Sequence, residues 1–357
     1  MDSDFRKTLD LCDYLVKTWD PDSLRWGWGE GLFCYALTEL DAFLGEDRYL
    51  PFVQKYVDRF TKNAPVVDCS DTAAPALASY YLQKKTGEEK YKKLTDLALE
   101  YIRRSPKIYK DAIPNHFGSG KDAKDYPPSV WVDSLMMFAV FTARYGSETR
   151  DVALTEYAAR LPALFAECLM DPDGLFYHSY RVNEGRHYPY KKIFWGRGNG
   201  WVAVSLPMIL DFLPQNDEHA AEIEGIFKKN IDAILRYMRA DGAFATVLNK
   251  PKNTYRELSA TALVACGLYA GLRRGILDES YREAAEKAYH AVTDSILYEN
   301  GGVFLPEISR PTVPMAHIPY LWYKFLPRGR NWNYGVAALI FAAIEKQKAD
   351  RASVDEK

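Results

Sequence analysis

Residues 194–214 read FWGRGNGWVAVSLPMILDFLP. A Gly-rich opening runs into a helical pattern, Val202 to Phe212, that is apolar nearly all round and closes at Pro214. A helix without a polar face belongs inside a layered structure. Segments of the same type recur at 26–45, 71–87, 131–146, 257–275 and 333–346. Each is a polar or Gly-rich turn followed by a helix rich in Ala, Leu and aromatics. Between them lie amphipathic stretches with charged faces, at 5–19, 48–62, 90–104, 152–170, 219–238 and 279–297, which read as outer helices. Six inner helices alternating with six outer ones describe an all-α (α/α)6 toroid. Each hairpin leaves an apolar face that only its neighbours cover, so residues 1–357 are expected to form a single domain. Three loops, 171–178 (DPDGLFYH), 239–247 (RADGAFATV) and 299–306 (ENGGVFLP), place Gly before an aromatic after an outer helix. They are expected to stop those helices and lead, as short extended pieces, into the next inner helix.

The bulk chemistry is that of an ordinary soluble globular chain: 357 residues, 48% hydrophobic, 26% charged, net charge −2. No basic patch argues for nucleic acid, and no apolar run is long enough to span a membrane. The start, MDSDFRKTLDLCDYLV, lacks the layout of a secretory signal, so the expectation is a cytoplasmic chain or else one already processed. Cys12, Cys34, Cys69, Cys168 and Cys266 are widely spaced without a CxxC, which reads as reduced thiols. The six histidines show no metal-type spacing, so no metal site is expected.

Every inner helix opens with its polar turn, so the six starts should share one end of the ring. That end would gather Glu30, Asp71, Asp133, Arg197 with Asn199, Glu257 with Ser259, and Asn333, under six positive helix-dipole ends that favour an anionic ligand. Asp71 and Ser259 are equally readable as helix N-caps. In FWGRGNGW the indoles of Trp195 and Trp201 flank Arg197, and glycines let the backbone approach a ligand. Aromatic faces beside a guanidinium suit a ligand with an apolar ring face and a carboxylate, such as a uronic acid. The alternative is two core tryptophans on a tight loop.

Asp133, in YPPSVWVDSLMM (126–137), stands among large apolar residues that should push it toward its neutral form, as a general acid requires. Asp71 opens the preceding inner helix, and paired carboxylates in different environments suit glycosidic chemistry. Asp68 is near enough to be the second carboxylate instead. His178, closing DGLFYH, could bind substrate or assist proton transfer.

These stretches, with LNKPKNTYRELSATALV (248–264) and WNYGVAALIFAAIE (332–345), resemble the unsaturated rhamnogalacturonyl hydrolases, glycoside hydrolase family 105, relatives of the family 88 unsaturated glucuronyl hydrolases. The resemblance implies an (α/α)6 barrel that needs no metal or organic cofactor. It also implies a small oligosaccharide substrate carrying a 4,5-unsaturated uronic acid at its non-reducing end. The reaction would be hydration of the vinyl ether: an Asp protonates C4 and assists water attack at C5. By position, Asp133 matches the acid/base Asp and Asp71 the second active-site Asp. His178, Trp195, Arg197 and Trp201 match substrate-contacting positions, Arg197 being the candidate for the uronate. The histidine that many members place just before YPxxxWxD has only a distant counterpart here in His116, and Trp28 and Glu30 stand as subsite candidates. Other carbohydrate chemistry on the same toroid, an inverting glycosidase or an epimerase, and a non-catalytic glycan binder are the rival readings.

Overall fold

The computed structural model describes residues 2–355 apart from 125 and 316. Outer and inner helices follow one another in pairs. They are α1 (Ser3–Thr18) with α2 (Trp28–Leu44); α3 (Leu50–Lys62) with α4 (Ser70–Ala73) and α5 (Ala76–Thr86); α6 (Glu89–Arg104) with α7 (Val140–Thr149); α8 (Val152–Leu169) with α9 (Gly196–Phe212); and α10 (Ala220–Leu235) with α11 (Leu258–Arg273). The last pair is α12 (Arg282–Thr293) with α14 (Asn333–Asp355), and the short α13 (Pro319–Lys324) lies between them. The inner helices touch in the cyclic order α2, α5, α7, α9, α11, α14 and back to α2, with the outer helices packed around them. The fold is the (α/α)6 barrel.

The sequence dictates the two layers. Outer α3 buries Phe52, Val53, Tyr56, Val57 and Phe60, one stripe of a 3.6-residue period. Inner α11 buries every residue from Leu258 to Gly271. One hydrophobic cluster runs through all six inner arms. The five cysteines are unpaired. Among the described residues no helix is long and apolar enough to cross a membrane.

Two inner arms are interrupted at the end where the cavity lies. The second is split between α4 and α5 at Ala74 and Pro75, whose ring packs where Gly31 of α2 has no side chain: a Cβ there would lie 2.7 Å from the Pro75 Cα. The third begins with a π-helical turn, Leu135–Ala139, two residues after Asp133. Such turns recur at functional sites because they re-aim the residues beside them.

The strands all lie in connections between outer and inner helices. They are β1 (Lys107–Tyr109) with β2 (Ile113–Pro114); the antiparallel sheet β3 (Ser129–Trp131), β4 (Ser179–Arg181) and β5 (Arg186–Tyr188); β6 (Leu297–Glu299) with β7 (Gly302–Phe304); and β8 (Ile308–Ser309) with β9 (Arg328–Gly329). Two readings are refined here. The 171–178 loop leads into the β4–β5 hairpin before α9, and 299–306 carries the β6–β7 hairpin. The glycines of FWGRGNGW are also not a loop, because α9 starts at Gly196. They are small because neighbours press on the helix. A Cβ on Gly196 would sit 2.4 Å from the Ala245 carbonyl oxygen, on Gly198 2.7 Å from the Trp195 ring, and on Gly200 2.8 Å from Leu263 Cβ.

Candidate active site

A cavity of about 360 Å³ opens at the end of the barrel where the inner helices start. Asp71, Asp133, Trp195 and Arg197 line it, as expected. Trp28 lines it too, whereas Glu30 turns to Arg25, 3.6 Å away. Asp71, not Asp68, is the second carboxylate on the wall. Asp68 instead serves the neighbouring loop, its carbonyl accepting from Ser119 N at 3.1 Å.

Asp133 is placed by strand register. Trp131 of β3 pairs with Ser179 of β4, and Val132 N donates to the His178 carbonyl at 3.0 Å. The residue after Val132 and the residue before Ser179 therefore come side by side. His178 Nε2 lies 3.5 Å from Asp133 Oδ2, and among the described residues neither atom has a formed hydrogen bond. Below Asp133 its carbonyl accepts from Met136 N and Met137 N, starting the third arm.

The charge state of Asp133 differs from the sequence expectation. Burial does push its carboxyl up, but His178, and behind it His116, outweigh burial and hold it below the usual carboxylate range. The sequence placed apolar residues around the acid and could not show an imidazole aimed at it across a sheet. Burial in turn pushes His178 below its ordinary value, against the pull of Asp133, so the imidazole is neutral at neutral pH.

His178 does not line the cavity. It is buried behind Asp133, its ring stacked on Trp195 with centroids 4.2 Å apart and its Nδ1 2.8 Å from the Tyr323 hydroxyl. Trp201 also lies behind the wall, buried and edge-on to Trp28 at 6.2 Å.

Arg197 is fully buried, with its guanidinium between the Trp195 and Tyr334 rings, 4.7 and 4.8 Å from their centroids. Its terminal nitrogens donate to the Ser309 carbonyl (3.1 Å) and the Arg310 carbonyl (2.9 Å), and Glu257 Oε1 is 3.8 Å away. Glu257, itself fully buried, caps α11 by accepting from Ser259 N and Ala260 N and also holds Ser309 N. The expected two-pronged grip on a carboxylate is therefore already taken up inside the protein. Among the described residues Arg197 Nε has no hydrogen-bond partner. Asn199 has an internal task as well, exchanging hydrogen bonds with the Phe176 backbone.

The sequence reading left His116 aside, and the structure puts it on the wall. Its backbone is stitched between Ser129 and Ser70, with His116 N donating to the Ser129 carbonyl at 3.0 Å and its carbonyl accepting from Ser70 N at 2.9 Å. The imidazole lies flat on Trp131, centroids 4.3 Å apart and planes 2° from parallel, with Nε2 3.6 Å from Asp71 Oδ1. Burial holds it down to about 4. The remaining wall is Phe117, Tyr126 and Trp131 on one side and Pro311, Thr312, Val313 and Trp322 on the other. The second group belongs to a connection whose sequence has no period; its only signal is the aromatic run PYLWYK (319–324).

On the cavity wall, Trp195 Nε1 and Arg197 Nε are buried polar atoms without a hydrogen-bond partner among the described residues. Unpaired buried polar groups are rare in native proteins and call for an explanation such as a ligand. Trp195 and Arg197 both stand on the wall of the cavity that holds Asp71 and Asp133. Among the described residues no cluster of metal-ligating side chains occurs.

The model of Glycosyl Hydrolase Family 88 matches residues 9–349. An unsaturated rhamnogalacturonyl hydrolase of Bacillus subtilis is 24% identical over 348 residues, 97% of each chain. An unsaturated 3S-rhamnoglycuronyl hydrolase of Formosa agariphila is 36% identical over 164 residues, 45% of this chain and 40% of its own. A family 105 glycoside hydrolase from C. acetobutylicum superposes with a TM-score of 0.85 at 23% identity, covering 95% of this chain and 99% of its own.

Proposed function

Since the chain belongs to glycosyl hydrolase family 88, we propose that it removes a 4,5-unsaturated uronic acid from the non-reducing end of short oligosaccharides left by polysaccharide lyases. The observation that carries this reading is Asp133, backed by the buried His178, on a cavity wall that also holds Asp71 and Trp195. In the reaction a proton adds to C4 and water oxygen adds to C5 while losing its own proton. The resulting hemiketal opens and frees the rest of the sugar. Asp133 is the acid and base, and Asp71 is the second carboxylate. His178 positions Asp133 from behind. Trp28 offers a flat face to the ring, Trp195 contributes to the wall beside it, and Arg197 gives a single Nε–H and a rigid mount for Trp195. Trp201 buttresses Trp28 rather than touching sugar.

Asp133 rests as a carboxylate, yet the first step needs a proton. A uronate entering the cavity supplies the missing influence, because a like charge close by raises a carboxyl's proton affinity. The proton is then taken up as substrate binds. The leaving sugar we propose is rhamnose, since the names of two curated relatives pair a uronyl group with it. The unpaired cysteines suit a reducing compartment, and we place the enzyme in the cytoplasm.

The test is a pair of disaccharides, one lyase-generated and one its saturated analogue. The alkene absorbance should disappear on incubation with enzyme, and the saturated sugar should be untouched. Turnover of the saturated sugar would instead indicate a conventional glycosidase, and binding without turnover a glycan-binding protein.

A further inference from the structure

Around Trp131 stand two Asp–imidazole pairs, Asp133 with His178 and Asp71 with His116, and each imidazole has its far nitrogen against a buried hydroxyl. Which nitrogen carries the proton follows from counting donors. The Tyr323 hydroxyl is fully buried, and among the described residues its one hydrogen-bond partner is His178 Nδ1, at 2.8 Å. A buried O–H must donate somewhere, so it donates to Nδ1. Nδ1 is then the bare nitrogen, and the proton of neutral His178 sits on Nε2, facing Asp133. The other pair counts the opposite way. Ser134 Oγ donates its single proton to Ser70 Oγ at 3.0 Å, and Ser70 is in turn 3.1 Å from the Tyr101 hydroxyl. Ser134 can therefore only accept from His116 Nδ1, 3.0 Å away. His116 carries its proton on Nδ1 and turns a lone pair on Nε2 toward Asp71.

We propose that Tyr323 and Ser134 are positioning residues that lock the two histidines beside the carboxylates in opposite tautomers, His178 as an Nε2–H donor toward Asp133 and His116 as a bare Nε2 acceptor toward Asp71. The two carboxylates thereby meet unlike partners, one that stabilises a carboxylate and one that receives a proton. Opposed environments of this kind set the carboxylate that transfers the proton, Asp133, apart from its neighbour Asp71. This use of the lock rests on the reaction proposed above, whereas the tautomers themselves do not.

Tyr323 also bears on pH. The groups facing His178 are Asp133 from the turn after β3, Arg197 from α9, Tyr323 from α13 and, beyond Trp131, His116. A hydroxyl donating to Nδ1 opposes a second proton there, as does the Arg197 charge. Removing the hydroxyl removes one of those two restraints.

The test is nitrogen-15 NMR of histidine-labelled full-length protein at neutral pH without substrate, with His178 and His116 assigned through H178Q and H116Q. The expected result is a protonated-type Nε2 and bare-type Nδ1 for His178, and the reverse for His116. The same tautomer in both, an averaged signal or an imidazolium would overturn the proposal. Tyr323→Phe then keeps the ring that lies parallel to Trp195 and loses only the hydroxyl. Its kcat should fall about tenfold, the effect of one buried hydrogen bond to an oriented group, with KM within about twofold. The acid limb of its kcat/KM profile should move to higher pH. An unchanged kcat and pH profile in this variant would remove Tyr323 from the account. The NMR result stands or falls without any sugar, so a wrong substrate and a wrong tautomer are told apart.

Discussion

Arg197→Ala separates the two roles open to this arginine. If Arg197 were mainly a clamp for the substrate carboxylate, its loss would raise KM and leave stability alone. The structure gives it heavier internal duties. It is the counter-charge 3.8 Å from a fully buried Glu257, and it satisfies the Ser309 and Arg310 carbonyls. Removing one partner of a buried pair costs about 3–5 kcal/mol, and orphaned buried acceptors cost about 1–3 kcal/mol each. Glu257 keeps the donors Ser259 N, Ala260 N and Ser309 N, which offsets part of the loss. A destabilisation of about 4 kcal/mol is the expected net, or a fall of about 5 °C in Tm for a chain of this size. Calorimetry of the variant measures it directly. Glu257→Gln added to Arg197→Ala should recover part of the loss, because the uncompensated charge is then gone. A wild-type Tm with only KM raised would refute the reasoning and restore the clamp.

Three further outcomes follow from the same geometry. Asp133→Asn should lower kcat by about 10²–10⁴, the usual range for a general acid–base group, while calorimetric binding of an unsaturated disaccharide persists. The His116 imidazole is held by burial to about 4, below its unfolded value of about 6.5. Between those values the unfolded chain binds more protons, so stability should fall as pH drops through that window, by up to about 1.4 kcal/mol per pH unit, and H116Q should flatten the slope of Tm against pH. Gly118 has φ +52° and stands where a Cβ would meet the Asp68 carbonyl oxygen at 1.8 Å. Gly118→Ala should therefore displace the loop carrying His116 and Phe117 and cost stability and kcat together, and a variant matching wild type in both Tm and kcat would contradict this.

The barrel was readable because its signal is local. An apolar helix such as Leu258–Arg273 and a one-faced helix such as Leu50–Lys62 declare their layers within a few turns. Asp71, Asp133, Trp195 and Arg197 were readable for the same reason, since each opens an inner arm and the arms open at one end. The rest depends on contacts between distant segments. His116 lies seventeen residues before Asp133 and reaches the cavity through hydrogen bonds to Ser129 and Ser70. His178 meets Asp133 through the β3–β4 register, and a three-residue strand leaves no alternation to read. Tyr323 and Trp322 come from a connection with neither helical nor strand period. The internal contacts of Arg197 and Trp201 were hidden on the same ground: nothing in FWGRGNGW reveals that the Ser309 and Arg310 carbonyls are waiting for the guanidinium, or that Trp201 packs edge-on to Trp28.

The most direct measurement of the central claim is the position of solvent hydrogen in the product. Run in D2O on a lyase-generated unsaturated disaccharide and read by proton and deuterium NMR, the reaction should place deuterium on C4 of the released uronic acid derivative, because Asp133 delivers a solvent-exchanged proton there. A product with no deuterium at C4, its double bond still intact after the sugars part, would contradict the account.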